Sequence, residues 1–261
     1  MKSDFDIIQF AFPERQDLTI LPIADVHLGA AEHLEREWRQ FCDSVLNQPN
    51  TYLLLGGDLI SNSTRSSVAN PFDEVIRPRE QKRLMAEMLM PLRERILAGT
   101  LGNHERRSLR ESDVDIMYDI FCKLDIEDRY RQNLAVIKIQ MGESKADGNR
   151  NPTYTIALTH GTGGGIYTGA AINRGERFAY YFDGIDALVL GHTHKAFVTQ
   201  PAKLKVDPFN NKVSVKPFKV VSVTGWLAYG GYVAQKMLQP SSHAPQVMRL
   251  CGTKKELKVT M

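Results

Sequence analysis

Short, continuous apolar runs recur along the chain, and between them apolar residues return every three or four positions. The runs are residues 18–24 (LTILPIA), 51–57 (TYLLLGG), 96–102 (ILAGTLG), 154–160 (YTIALTH) and 186–192 (DALVLGH). Runs of this length without polar alternation predict strands covered on both faces. The intervening pattern predicts helices. Leu34, Trp38, Phe41, Cys42 and Val45 fall at helical spacing, as do Leu84, Met85, Met88 and Leu89 ahead of Pro91, which should kink or end that run. Ser112 with Asp115 resembles a capping box, opening a helix with Val114, Met117, Phe121 and Leu124 on one face. A further helix around 173–182 would bury Phe178, Tyr181 and Phe182.

After residue 195 the texture changes. AFVTQ, KVSVKPFKVVSVTG and QVMRL read as antiparallel strands, with alternation at Val213 and Val215. The chain is therefore β-α-β-α-β first and β-rich later, which fits two mixed sheets flanked by helices. Residues 142–152 (GESKADGNRNP) read as an exposed loop between strands, and no linker divides the chain, so one domain over 1–261 is expected. A hydrophobic content of 43% and a charged content of 24% are those of an ordinary globular chain and exclude a disordered one. No apolar window is long enough for a membrane span. The N-terminal MKSDFDIIQFAFPERQ, with its acids, is unlike a secretory signal. Cys42, Cys122 and Cys251 are too few and scattered for a disulfide framework, so a cytoplasmic, reducing location is expected. The net charge of +3 neither requires nor excludes a nucleic-acid partner.

The chemistry-bearing residues gather where the runs stop. Asp25-Val26-His27 follows the first, Gly57-Asp58 closes the second, and Gly102-Asn103-His104-Glu105 follows the third. His160-Gly161 follows the fourth, and Gly191-His192-Thr193-His194 the fifth. Five of the seven histidines lie there; His33 and His243 do not. Functional groups of α/β folds collect at the C-terminal ends of strands. Carboxylate, imidazole and amide groups together suit Mn²⁺, Fe²⁺ or Zn²⁺. On an extended chain, D-x-H and H-x-H would put both side chains of each pair on one side. Seven ligand candidates over-fill one ion but serve two if a carboxylate bridges, and such a pair can clamp a phosphoryl group.

The ordered series D-x-H, G-D, G-N-H-E, H-G and G-H-x-H resembles the calcineurin-like metallophosphoesterase superfamily, across residues 25–194. The resemblance implies a four-layer αββα sandwich with a dinuclear metal centre. It places Asp25, His27 and His194 on one ion and Asn103, His160 and His192 on the other, with Asp58 bridging. His104 would contact the phosphoryl oxygen or protonate the leaving group, and a metal-bridging hydroxide would attack phosphorus. The ions implied are Mn²⁺ first, with Fe, Zn or Ni as alternatives. ADVHLGA and GGDLIS are most similar to SbcD-type nucleases, and HGTGGG, GHTHK and GWLAYGGY to compact phage and prophage phosphoesterases. The implied activity is hydrolysis of phosphate esters, favoured as a phosphodiesterase or nuclease on DNA or RNA. A phosphomonoesterase on a nucleotide or phosphoprotein is the alternative within enzymes. A non-catalytic nucleic-acid-binding or scaffold subunit is the alternative outside them, although every ligand position holds a competent residue. Relatives are commonly dimers, so a homo-oligomer is compatible with the resemblance.

Other residues have a functional and a plain reading. Arg106 and Arg107 follow G-N-H-E, and Arg174 and Arg177 follow His160, so these four are the candidate substrate-binding cations. The Arg77–Arg83 and Arg93–Arg95 clusters read as solvated helix faces. Gly161 and Gly163–Gly165 form either a phosphate-cradling loop or a simple turn. Trp226 and Tyr229 are core aromatics or a stacking surface for a base. Asn62, Ser63 and Ser66 orient substrate or form a turn, and Glu105 reads as a supporting group rather than a ligand.

Overall fold

A computed structural model describes residues 3–261 apart from 66, 68–70, 143–150, 166, 236–238 and 241. Ser66 and most of the loop expected over 142–152 lie outside the described residues. The strands are β1 (Ile8–Phe12), β2 (Leu18–Ile23), β3 (Thr51–Leu55), β4 (Ile96–Thr100), β5 (Tyr130–Arg131), β6 (Leu134–Met141) and β7 (Thr153–Thr159). They continue with β8 (Ala187–Leu190), β9 (Phe197–Thr199), β10 (Ala202–Asp207), β11 (Lys212–Pro217), β12 (Lys219–Ser222), β13 (Val247–Leu250) and β14 (Leu257–Thr260). The α-helices are α1 (Glu35–Asn47), α2 (Pro78–Leu89), α3 (Glu105–Ser112), α4 (Ile116–Lys123), α5 (Thr168–Ala179) and α6 (Gly231–Gln235).

One sheet has the order β14-β13-β2-β3-β4-β5, with β2 to β5 parallel and β13 and β14 antiparallel. The other has the order β1-β6-β7-β8-β12-β9 and is likewise mixed. Alternation along β3 shows why its sequence is apolar throughout. Leu53 and Leu55 pack outward with Trp38, Phe41 and Val45 of α1, Met85 and Leu89 of α2, and Ile120 and Phe121 of α4. Leu54 packs inward, with Ile20 and Leu97, against Ile137, Ile156, Leu158, Val189 and Val221 of the second sheet. On that sheet's far side, Ala157, Leu188, Leu190 and Val220 meet Ala171 and Ala179 of α5. The result is the expected αββα layering of two mixed sheets between helices. Among the described residues no helix is long and apolar enough to cross a membrane.

Several local readings change. The reading from continuous runs passes over β1, β5, β10 and β14, and over β6, whose buried Ala135, Ile137, Ile139 and Met141 alternate with half-buried positions. It also runs β11 and β12 together. Their separation matters, because β12 joins the second sheet whereas β10 and β11 form a separate ribbon. There Leu204 faces Val215 and Val206 faces Val213, all exposed. Asp115, not Ser112, caps α4, accepting the Tyr118 N–H at 3.0 Å. Ser112 ends α3 and donates to the Ser108 carbonyl, Asp113 takes a left-handed turn, and Val114 is exposed. Helix α5 starts earlier than expected and ends at Ala179, leaving Tyr181 exposed. Pro91 does follow the end of α2, inside a 3₁₀ turn over Met90–Arg95.

Trp38 is fully buried and meets Trp226 edge-on, with ring centroids 5.2 Å apart. Trp38→Ala should destabilise the protein by about 3–5 kcal/mol. Urea unfolding should show the midpoint falling with little change of slope.

Candidate metal centre

Every expected ligand lies just past a strand end. Asp25 and His27 follow β2, Asp58 follows β3, Asn103 follows β4, His160 follows β7, and His192 and His194 follow β8. The chain is not extended there, as the D-x-H alternation had suggested. Asp25, His27, Asp58, His192 and His194 all have positive φ, between 51° and 69°. Asp and His are among the side chains that tolerate this region, and such positions cost about 1–3 kcal/mol each unless the surroundings enforce them. Sharp left-handed turns, rather than strand alternation, aim these side chains together. Gly57 tightens the same edge: at φ 84° its missing Cβ would lie 2.3 Å from the Gly102 backbone nitrogen. No other residue lets the turns after β3 and β4 approach so closely.

The ligand atoms converge. Asp25 and Asp58 are fully buried. Asp25 Oδ2 accepts the His192 N–H at 2.8 Å. Its Oδ1 has no hydrogen bond and faces Nε2 of His194 at 3.4 Å and of His27 at 3.9 Å. Asp58 repeats the arrangement. Oδ1 accepts the His104 N–H at 2.7 Å, while Oδ2 faces Nε2 of His160 at 3.3 Å and of His104 at 3.8 Å. Asn103 Oδ1 lies 2.8 Å from His160 Nε2 and 2.6 Å from His192 Nδ1. Asp25–His27–His194 and Asp58–His160–His192 each form a compact metal-competent group, and His27–Asp58–His104 forms a third that overlaps both.

These residues fit metal ions on their own chemistry. A buried carboxylate oxygen without a hydrogen bond, turned toward two imidazoles, is costly unless a cation answers it. Burial opposes ionisation of Asp58, yet His160 and His104 hold its pKa well below the usual carboxylate range. Burial also disfavours the His160 imidazolium, but Asp58 outweighs it and raises that pKa to about 10. The pocket thus demands positive charge beside Asp58. His27, pushed well down by burial and by its histidine neighbours, stays a neutral ligand type. Backbone acceptors orient two rings: His160 Nδ1 donates to the Gly56 carbonyl at 2.7 Å and His104 Nδ1 to the Ser61 carbonyl at 2.6 Å. Both present Nε2 to the cluster, as ligating imidazoles held by outer partners do.

A second ring of buried polar groups holds this edge. Glu105, at the start of α3, accepts three backbone N–H groups, from Asp58 at 3.0 Å, Leu59 at 2.7 Å and Ile60 at 3.2 Å. Burial and the Asp58 charge raise its pKa to about 8. Asn62 is buried at φ 44° and donates to the His104 carbonyl at 2.7 Å and to Ser108 Oγ at 3.0 Å. Gln81 of α2, buried, accepts the Asn62 N–H at 2.8 Å. From sequence alone Asn62 keeps two roles and Gln81 carries no signal, because nothing local announces a contact with a loop 19 residues away.

The four candidate substrate arginines divide. Arg106 donates to Asn133, Arg107 to the Ser61 and Asn62 carbonyls, and Arg174 to the Thr162 and Gly164 carbonyls. Arg177 lines a cavity beside β7 and β8. Trp226 is core and its backbone N–H donates to the Asp25 carbonyl, while Tyr229 is exposed. Ser63 donates its N–H to Glu74, so that turn is internally held. His33 donates to the Val26 carbonyl, and His243 contacts the Gly225 carbonyl.

The sequence profile described as calcineurin-like phosphoesterase matches residues 18–196, which contain every ligand candidate. The chain belongs to this family. Solved structures similar to this phosphoesterase include a predicted phosphoesterase from Streptococcus pneumoniae, at 10% identity and TM-score 0.37, covering 93% of this chain and 88% of that one. A metallophosphoesterase from Sphaerobacter thermophilus is 15% identical with TM-score 0.40, covering 89% and 83%. The NAD nucleotidase of Haemophilus influenzae is 12% identical with TM-score 0.43, covering 94% of this phosphoesterase but 49% of its own length. No curated protein matches the sequence.

Glu105→Gln places an NH₂ group where one carboxylate oxygen accepts a backbone N–H. It should cost about 1–3 kcal/mol in stability and weaken divalent-metal binding, read by urea unfolding and calorimetry. Asn62→Gly keeps the left-handed backbone accessible but loses the side-chain bonds, so it should be destabilised less than Asn62→Ala in the same unfolding assay.

Proposed function

We propose that this phosphoesterase is a two-metal phosphodiesterase, acting as a nuclease or on a smaller diester, with Mn²⁺ as the preferred ion. The observation that carries the reading is the pair of three-residue groups, Asp25–His27–His194 and Asp58–His160–His192, which share no residue and lie on one edge. Asn103 would complete the second set, and Asp58 would be shared by the two ions. When bound, the ions would neutralise charge on the phosphoryl oxygens and make water a competent nucleophile near neutral pH.

The protein's own residues would do the rest. Asp25 and Asp58 keep their inward oxygens fixed, because the outward oxygen of each is held by a backbone N–H. His104 is partly exposed, and its Nδ1–H is committed to Ser61, so Nε2 is the atom free to meet substrate. Protonated there, it would deliver its proton to the departing ester oxygen as the bond from phosphorus to that oxygen breaks and the bond to water's oxygen forms. Burial lowers the His104 pKa, and the Asp58 carboxylate offsets only part of that fall.

The preference for a diester rests on charge. A monoester dianion brings one more negative charge than a diester. Arg106, Arg107 and Arg174 already donate to groups of the fold, and Arg177, the one candidate without such a contact among the described residues, lines the neighbouring cavity, so the four offer that extra charge little beyond the ions.

Hydrolysis of bis(p-nitrophenyl) phosphate should therefore exceed that of p-nitrophenyl phosphate in Mn²⁺, and a chelator should abolish both. A clear monoester preference would overturn the diester assignment. His104→Ala should lower kcat by about 10²–10⁴ with metal content unchanged; near-parental turnover would remove His104 from the chemistry.

A further inference from the structure

Beneath α5, beside the ends of β7 and β8, lies a cavity of about 280 Å³. Its rim is made by Thr159, Gly161, Gly191 and Thr193, the chain neighbours of His160 and His192. Its walls are apolar, with Ala171 and Phe178 from α5 and Leu190 from β8. Gly175 lets the helix sit close to the sheet: a Cβ there would stand 3.2 Å from both Leu190 and Val220. Arg174 shapes the loop after β7 through its two carbonyl contacts. Arg177 and Tyr181 complete the lining, both exposed to solvent, and Arg177 makes no hydrogen bond or ion pair among the described residues.

We infer that this cavity receives the aromatic base of a nucleotidyl phosphate ester whose phosphorus lies at the neighbouring histidine cluster. The inference rests on the phosphoesterase reading and narrows its substrate class. A substituent on that phosphorus needs to travel only past His160 or His192 to enter. The rim hydroxyls have other contacts: Thr159 Oγ1 donates to the Asn133 carbonyl at 3.0 Å, and Thr193 Oγ1 lies 3.5 Å from Ser222 Oγ. Apart from Thr162 and Arg177, both exposed, the lining therefore offers a hydroxyl-rich sugar few free partners. A flat base covers Phe178 and Leu190 with its faces and keeps its polar edge at the rim. An acyl chain would match the walls but leave Arg177 without a counter-charge, whereas a nucleotide strand brings a further phosphate to the mouth.

Calorimetry in Mn²⁺ tests this with the four nucleoside 5′-monophosphates and inorganic phosphate as probes. The parent should bind at least one nucleotide about tenfold or more tightly than phosphate, the gain typical of stacking a base on an aromatic ring. Ala171→Leu, which fills the cavity, and Phe178→Ala, which removes its ring, should cut that advantage while phosphate affinity stays within about twofold. Tyr181→Ala, at an exposed position whose ring meets Phe178 edge-on, should cut it in part. Nucleotides binding no better than phosphate, or an advantage untouched in all three variants, would overturn the inference. Hydrolysis of bis(p-nitrophenyl) phosphate is read on the same samples. Selective nucleotide binding without turnover would sink the phosphoesterase reading and leave the cavity assignment standing; turnover without selective binding would do the reverse.

Discussion

Two carboxylates buried beside one another set the terms for the rest of this structure. Asp25 and Asp58 have almost no contact with solvent, and each has one oxygen tied to a backbone N–H and one turned inward. Left alone, two such charges would repel and be costly to bury. Histidines from three other strand ends answer them, and so would divalent cations. The fold supplies what this requires, namely strands from two sheets that end along one line. The packing of Leu54 and Leu158 between the sheets, and of α1, α2, α4 and α5 outside them, brings those ends together.

Holding the side chains at that line costs the backbone something. Five ligand candidates and Asn62 sit at positive φ, where non-glycine residues are uncommon. The compensation is visible in buried hydrogen bonds. Glu105 takes three successive backbone N–H groups, and Gln81 and Asn62 fix the next stretch of chain. Polar groups that have no part in ligation therefore determine where Asp58 and His104 point. This is why the second ring should matter to metal affinity as well as to stability.

Much of this was legible in the sequence, and for a physical reason. Strands covered on both faces must be apolar throughout, so an Asp or His directly after one stands out, and histidines are scarce in this chain. The order of those residues was enough to name a family and a layered fold. Other features were illegible because they depend on contacts distant in sequence. Gln81 reads as an ordinary helix residue, and nothing in SNS reveals a buried left-handed asparagine. Arg106 and Arg107 read as substrate cations because they follow the histidine; their contacts with Asn133 and with the Ser61 and Asn62 carbonyls depend on the turn of α3, which pattern alone does not supply. The capping assignment failed for a related reason: α3 occupies residues that pattern alone left as a charged run, so the α4 cap moved to Asp115.

The central claim is that one edge of the sandwich binds two divalent ions joined through Asp58. Calorimetric titration of the metal-free protein with Mn²⁺, beside Asp58→Asn, tests it most directly. The account predicts two ions per chain for the parent, and loss or marked weakening of both in the variant, because the shared carboxylate loses its charge. A single ion in the parent, or two tightly bound ions retained in Asp58→Asn, would contradict it.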